Sequence, residues 1–329
     1  MTVTLDDGVY LGLAEEHYFA QHRLGSTDLV LLHKDPASWW YGSRFNPDRP
    51  TREPTPEMEF GKALHALVLE GDEAYSERAA ISPYDDYRTK EARLWRDEQV
   101  INGRIVMTKD MDLRVRHMSA LILNHPELGG ALKAGMSEVS VLFTMPNGVQ
   151  MRARFDKMLP RFTVDLKSFG GDARGNTIRQ QCTGLIAARD YDIQRYIYDV
   201  ARRAMSGLIE KGALFGGSDE DKAWVAKAAG VEAFQWCWIF YRRRDDARPY
   251  APVVKPIVRP PEDFTYMTGH KKASVALANY QAFVERFGFD VPWAVIEPTE
   301  EPSDTDFPPW LDRAFSPVDF PQPEMEAAE

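Results

Sequence analysis

At 329 residues, with 44% hydrophobic and 12% aromatic side chains, the chain carries enough apolar material for a sizeable core, which excludes wholesale disorder. Cys182 and Cys237 are its only cysteines and form neither a CxxC nor a Cys/His pair, which argues against a zinc site or an iron–sulfur cluster and fits a reducing cytoplasm. The net charge of −10 neither supports nor excludes DNA, and no leader peptide or run of about 18 apolar residues points to a membrane.

Residues 1–25, with Tyr10, Tyr18 and Phe19, read as an arm carrying a short helix, and Ser26 or Thr27 caps a helix bearing Leu29, Leu31 and Leu32. Asp35-Pro36 ends it or starts another, and Trp39-Trp40-Tyr41 supplies an aromatic anchor. Four prolines between Asn46 and Pro56 make a loop. The stretch from Met58 to Glu70 follows the helical period with Leu64, Leu67 and Val68 as its buried stripe, so it is a helix with His65 inside it. Residues 84–100 are highly charged and read as an exposed helix or mobile loop, and Val106 to Leu123 as a helix. Glu138 to Thr144 alternates as a strand, and the turn at Pro146-Asn147-Gly148 sends the chain back antiparallel. After a third strand, Gly170-Gly171 breaks the pattern. Helices follow at about 178–188 and 191–206, a loop at 212–221, strands at Phe234–Tyr241 and Val253–Val258, and a last helix over about 262–287. Beyond it the sequence is acidic and Pro-rich, with Arg313 as the sole basic residue from Glu297 to Glu329.

The strand pair around residue 160 carries the chemistry. Val149, Met151, Ala153 and Phe155 share one face and Gln150, Arg152, Arg154 and Asp156 the other, while in Thr163-Val164-Asp165-Leu166-Lys167-Ser168 the side chains of Asp165 and Lys167 point the same way. Two carboxylates and an ammonium on one side of a hairpin suit a divalent cation and an attacking water, as in phosphodiester cleavage. A bare D-x-K triplet carries little information, and Glu220-Asp221-Lys222, in a polar loop with no flanking strand, is read as solvated surface. Taken singly, His65 is an ordinary boundary histidine, and Gln194 and Tyr198, four apart on one helix face, an ordinary helix surface. Gly61, one turn before His65, leaves room for another backbone to approach. Arg152, Arg154, Lys157 and Arg161, then Arg174, Arg179, Arg202-Arg203 and Arg242-Arg243-Arg244, form local basic clusters of the kind a phosphate backbone requires.

As an ordered set, Phe60-Gly61-x-x-x-His65, Asp156, Asp165-Leu166-Lys167 and Gln194-x-x-x-Tyr198 resemble the motif series of PD-(D/E)xK nucleases of the RecB type. The closer likeness is to the exodeoxyribonuclease VIII (RecE-type) catalytic domain of phages and prophages. It extends through Gly8-Val9-Tyr10, Asp35-Pro36-Ala37, Trp39-Trp40 and Gly103-Arg104-Ile105-Val106, over roughly residues 8–260. Phe155 stands where the family's leading acidic strand often has proline.

The resemblance implies an α/β (α+β) restriction-endonuclease-like core, a central mixed sheet flanked by helices, over residues 57–290. A helical N-terminal extension (1–56) precedes it and an acidic, flexible tail (291–329) follows. It implies that His65, Asp156 and Asp165, with the Leu166 carbonyl, hold Mg²⁺, for which Mn²⁺ substitutes. Lys167 positions the attacking water, and Gln194 and Tyr198 orient substrate or water. The expected activity is 5′→3′ digestion of linear double-stranded DNA ends by a ring-like homo-oligomer in the cytoplasm. That leaves 3′ single strands for an annealing protein in recombination. A structure-specific endonuclease of the same superfamily, or a non-catalytic DNA-binding protein with a nuclease-like fold, are the alternatives.

Overall fold

The computed structural model describes residues 4–50, 54–170, 175–242, 251–296 and 299–306. Residues Met1–Trp293 form one compact unit and Ala294–Glu329 a second. Gly171, Arg174, Arg243 and Arg244, and the acidic tail from residue 307 onward, lie outside the described residues. Within the second unit the described residues carry one 3-10 turn, Asp304–Asp306, with the Ser303 N–H donating to Asp306 at 2.8 Å.

The first unit opens with strand β1 (Gly8–Leu11) and helices α1 (Glu15–Ala20), α2 (Ser26–Lys34) and α3 (Pro36–Gly42). Helix α4 (Pro56–His65) runs straight into a π-helical turn (Ala66–Glu70), followed by α5 (Asp72–Arg78), β2 (Ala79–Ile81), α6 (Lys90–Ile101), β3 (Ile105–Met107), α7 (Lys109–Leu123) and α8 (Gly129–Leu132). Then come β4 (Met136–Thr144), β5 (Gln150–Leu159), β6 (Phe162–Ser168), α9 (Ile178–Ala188), α10 (Tyr191–Glu210), β7 (Leu214–Gly216), α11 (Asp219–Ala229), β8 (Gln235–Arg242), β9 (Val253–Arg259) and α12 (Phe264–Phe287). Side-chain caps fix several of the helix starts: Thr55 for α4, Thr177 for α9, Ser218 for α11 and Asp263 for α12 accept backbone N–H bonds from the first turn.

Seven strands form one mixed sheet in the order β7-β1-β4-β5-β6-β8-β9, and β2 and β3 pair in a separate parallel ribbon. The strands β4, β5 and β6 are an antiparallel meander, and β8 joins β6 in parallel through the α9–α10 crossover. Alternation on β8 divides the core. Cys237, Ile239 and Tyr241 join Val164 and Leu166 of β6 under α4, the π-turn and α7, while Trp236, Trp238 and Phe240 pack on α9. A third cluster places Val139, Val141, Met151, Ala153 and Phe155 against α2, α10, α11 and α12. Helices α10 and α12 approach closely at Gly269, where a Cβ would sit 2.1 Å from the Asp192 carbonyl oxygen.

The architecture is the expected mixed α/β core with helices on both sides of the sheet. Within the expected N-terminal arm, residues 8–11 are a sheet strand, held by antiparallel pairing to β4 and parallel pairing to β7. The polar stretch 212–221, expected as a loop, holds β7 and the first turn of α11. There Glu220, Asp221 and Lys222 are helical, with Ser218 and Asp221 closing a capping box.

Candidate active site

The site forms where β5 and β6 part. Their pairing runs Leu159↔Phe162, Met158↔Thr163, Lys157↔Val164 and there ends. One further step in that register sets Asp156 across from Asp165, but the ladder bond is replaced: the Leu166 N–H donates to Asp156 Oδ2 at 3.3 Å. Carboxylate thus substitutes for carbonyl at the divergence of two strands.

The two acids meet different helices, while each still acts on the other electrostatically. Asp165 is 2% exposed; its Oδ1 accepts from Lys167 Nζ at 2.9 Å and from Gln194 Nε2 of α10 at 2.8 Å. Asp156 instead meets the other helix, with its Oδ2 3.6 Å from His65 Nδ1 at the end of α4. The physical reason is a break in alternation. Phe155 packs with the α10 cluster and Lys157, two residues on, reaches the π-turn, so the face switches across Asp156. On β4, Glu138 has φ +57°, a left-handed conformation for a non-glycine residue, and it occupies the position opposite Asp156 that the β4–β5 register skips.

Burial governs the electrostatics. It pushes the Asp165 carboxyl up to about 6; Lys167 pulls the other way and the nearby Asp156 charge adds to the rise. Burial alone disfavours the Lys167 ammonium, but the Asp165 and Asp156 charges outweigh it and hold the lysine above its ordinary value. Its Nζ also lies 4.9 Å from the centre of the Tyr191 ring. Glu138 is raised to about 8 by burial and by Asp156. Tyr198 is half-buried, edge-on to Phe155 and Trp236 and hydrogen-bonded to Gln194, and burial holds its phenol well above the ordinary value.

The expected metal ligands fit a divalent cation by donor chemistry. Carboxylate oxygens and an imidazole suit Mg²⁺ or Mn²⁺. Asp165 Oδ2 is buried and has no hydrogen-bond partner, an arrangement a cation would relieve. Among the described residues, however, no three His, Cys, Asp or Glu side chains converge into a ligand group. His65 and Asp156 are brought together, and Asp165, Lys167, Gln194 and Tyr198 form a second set, joined to the first through Leu166 and by the charges of Asp156 and His65 acting on Asp165.

A cavity of about 930 Å³ opens beside this second set, lined among others by Lys167, Gln194, Tyr198, Tyr191, Phe60 and Arg189. Gly61 faces the Tyr241 hydroxyl, at 3.7 Å from where a Cβ would stand, so a side chain rather than a backbone lies opposite it. Much of the expected basic track is internal. Arg152 donates to the carbonyls of Tyr18, Phe19 and Gln21, Arg154 to that of Leu13, Lys157 to that of Leu69 and Arg202 to those of Leu159, Pro160 and Phe162. Arg161 and Arg179 are exposed. Sequence reasoning gave no role to Glu138 or Tyr191. Adjacency of Tyr191 to the Gln194-x-x-x-Tyr198 helix face was the available signal for one; a left-handed glutamate has none.

A seven-stranded mixed sheet flanked by helices, with an acid–acid–lysine cluster at a strand divergence, has the restriction-endonuclease-like architecture of the PD-(D/E)xK nucleases. The family model described as a PDDEXK-like domain of unknown function (DUF3799) matches residues 44–215, and the chain belongs to that family. The matched segment includes every candidate site residue from His65 to Tyr198. No curated protein matches the sequence.

Proposed function

We propose that the protein is a metal-dependent deoxyribonuclease of the exonuclease kind, digesting linear duplex DNA 5′→3′ and leaving 3′ overhangs for strand annealing. The observation that carries this reading is the buried Asp165, with one oxygen held by Lys167 and Gln194 and the other unpartnered, next to the Asp156–His65 pair. Asp165 and Asp156, with His65 and the Leu166 carbonyl, would hold Mg²⁺. A cation bound there supplies charge neutralisation at the phosphate and an acidified water.

The chain's own residues complete the chemistry. Lys167 keeps a fixed positive charge within the site, where developing negative charge on the phosphate is stabilised without reorganisation. Gln194 holds the Asp165 carboxylate in place from α10. The start of α10 is itself fixed, because Asp190 is bridged by Lys34 of α2 and Lys272 of α12, so Gln194 stands on an anchored helix. The cavity beside Lys167, with the half-buried Tyr191 in its wall, suits a strand end whose base stacks on an aromatic ring. The RecE-type motif series supports a DNA end as substrate and a ring-like oligomer with an annealing partner.

The test is digestion of linear duplexes labelled at the 5′ or the 3′ end, with Mg²⁺ and with EDTA, beside a closed circle. Early release of the 5′ label, no attack on the circle and no reaction in EDTA are expected. Cleavage of the circle would replace this reading with an endonuclease, and inertness of every substrate with Mg²⁺ would remove the nuclease assignment.

A further inference from the structure

The helix that delivers His65 does not end in an ordinary way. After His65 the chain widens into the π-turn Ala66–Glu70, closed by the Gly71 N–H donating to the Ala66 carbonyl at 3.0 Å, and Gly71 at φ +102° stops it. A helix end leaves its last carbonyls without intrahelical donors, and here Leu69 is buried at 4% exposure, so water is not the partner. Two side chains from the sheet take that place. Ser137 Oγ of β4 donates to the Leu69 carbonyl at 2.5 Å and Lys157 Nζ of β5 at 3.2 Å, and the two side chains are 3.1 Å from each other. Lys157 is 5% exposed, an ammonium sunk against the negative end of a helix.

Lys157 and Asp156 are consecutive on β5. Because alternation breaks at Asp156, one strand grips the same helix twice: Asp156 at the His65 ring, 3.6 Å away, and Lys157 at the carbonyl four residues further on. Ser137 is the cross-strand partner of Lys157, so β4 reinforces the second grip. The left-handed Glu138 next to Ser137 is where β4 departs from regular alternation on its side. π-Helical turns are rare and occur mostly as single turns within α-helices, frequently at functional sites. Here the lysine and serine both bind a carbonyl of that turn.

We propose that Lys157 is a positioning residue for the metal site: with Ser137 it captures the Leu69 carbonyl, fixes the π-turn, and thereby sets the His65 imidazole against Asp156. Lys157 acts through His65 and touches neither metal nor substrate. The inference rests on the proposed function, since it gives His65 and Asp156 a shared cation.

The experiment measures Mn²⁺ binding to the full chain by calorimetry, for the unaltered protein, Lys157→Met, Ser137→Ala, His65→Ala and the Lys157→Met/His65→Ala pair, with circular dichroism to establish folding. Lys157→Met is expected to weaken Mn²⁺ binding about tenfold, the usual cost of losing an outer support of a metal ligand. Ser137→Ala does so less, and in the His65→Ala background Lys157→Met makes no further difference. A merely structural lysine would weaken binding equally in both backgrounds, and that result overturns the proposal, as does unchanged binding by folded Lys157→Met. Should Lys157→Met fail to fold, Ser137→Ala decides, with undiminished Mn²⁺ affinity counting against the positioning role. No binding by the unaltered chain removes the proposed function, and this inference with it, whereas normal binding by the unaltered chain and the variants alike removes only the role of Lys157.

Discussion

Two groups of buried charge meet α10, and they are resolved differently. In one, Arg195 binds Asp263, Thr265 and the Pro260 carbonyl, and Arg202 spreads its terminal nitrogens over three carbonyls and the Thr163 hydroxyl. Arg195 Nε and Asp199 Oδ1, without hydrogen bonds there, belong to one ion pair, with Nε 3.8 Å from the Asp199 carboxylate. At the strand divergence, by contrast, the bare oxygen of Asp165 has the Asp156 carboxylate in its surroundings, a like charge. Charges paired within the chain hold a fold together, whereas a buried carboxylate oxygen beside a like charge is a place a cation fits.

That contrast is sharpest in substitutions. Lys167→Ala is expected to lower cleavage about 100- to 1000-fold while the chain still folds, because it removes fixed charge at the reacting phosphate; single-turnover digestion reads the loss, and near-normal rates would merge the two regions. Arg202→Met should do the reverse. Stripping the guanidinium from four acceptors costs about 3 kcal/mol in urea unfolding, with cleavage per folded molecule retained.

A smaller effect comes through Asp199, raised to about 7 by burial against the pull of Arg195, Arg203 and Arg202. Its folded carboxyl binds a proton more tightly than the unfolded one, so this group's stabilisation is full below about pH 4 and fades as pH rises toward 7. Asp199→Asn abolishes that slope, and unfolding curves across pH 4–8 should separate by about 2 kcal/mol at the upper end. Parallel curves would show that the arginines keep Asp199 ionised throughout. The smallest change is Glu138→Gly, expected to raise unfolding free energy by about 1 kcal/mol, read as a slightly higher melting midpoint, since glycine takes φ +57° without strain.

Much of the frame was legible because it is written locally. Val149, Met151, Ala153 and Phe155 alternate and do share the α10-facing core, and Val164 and Leu166 lie in the opposite one. Helices with a side-chain cap and a full apolar stripe, such as residues 178–188, stand where the period puts them. The strands at 8–11 and 214–216 were not legible, since four and three residues carry no period and owe their conformation to sheet partners. Arginine content gave charge without address. Arg152, Arg154 and Arg202 were read as a phosphate track, and each is occupied by carbonyls of its own chain.

The site divides along the same line. That Asp165 and Lys167 share a side follows from strand geometry alone, and they are ion-paired at 2.9 Å. That Asp156 meets His65 and Lys157 the helix end goes with a left-handed Glu138 and a π-turn, neither of which a local residue pattern announces. Sequence by itself determined the longer elements, the core stripes and the Asp-x-Lys pair, because these depend on neighbours two to four positions apart. Only the tertiary structure decided which faces meet and which charges are satisfied, because those depend on contacts between segments dozens of residues apart.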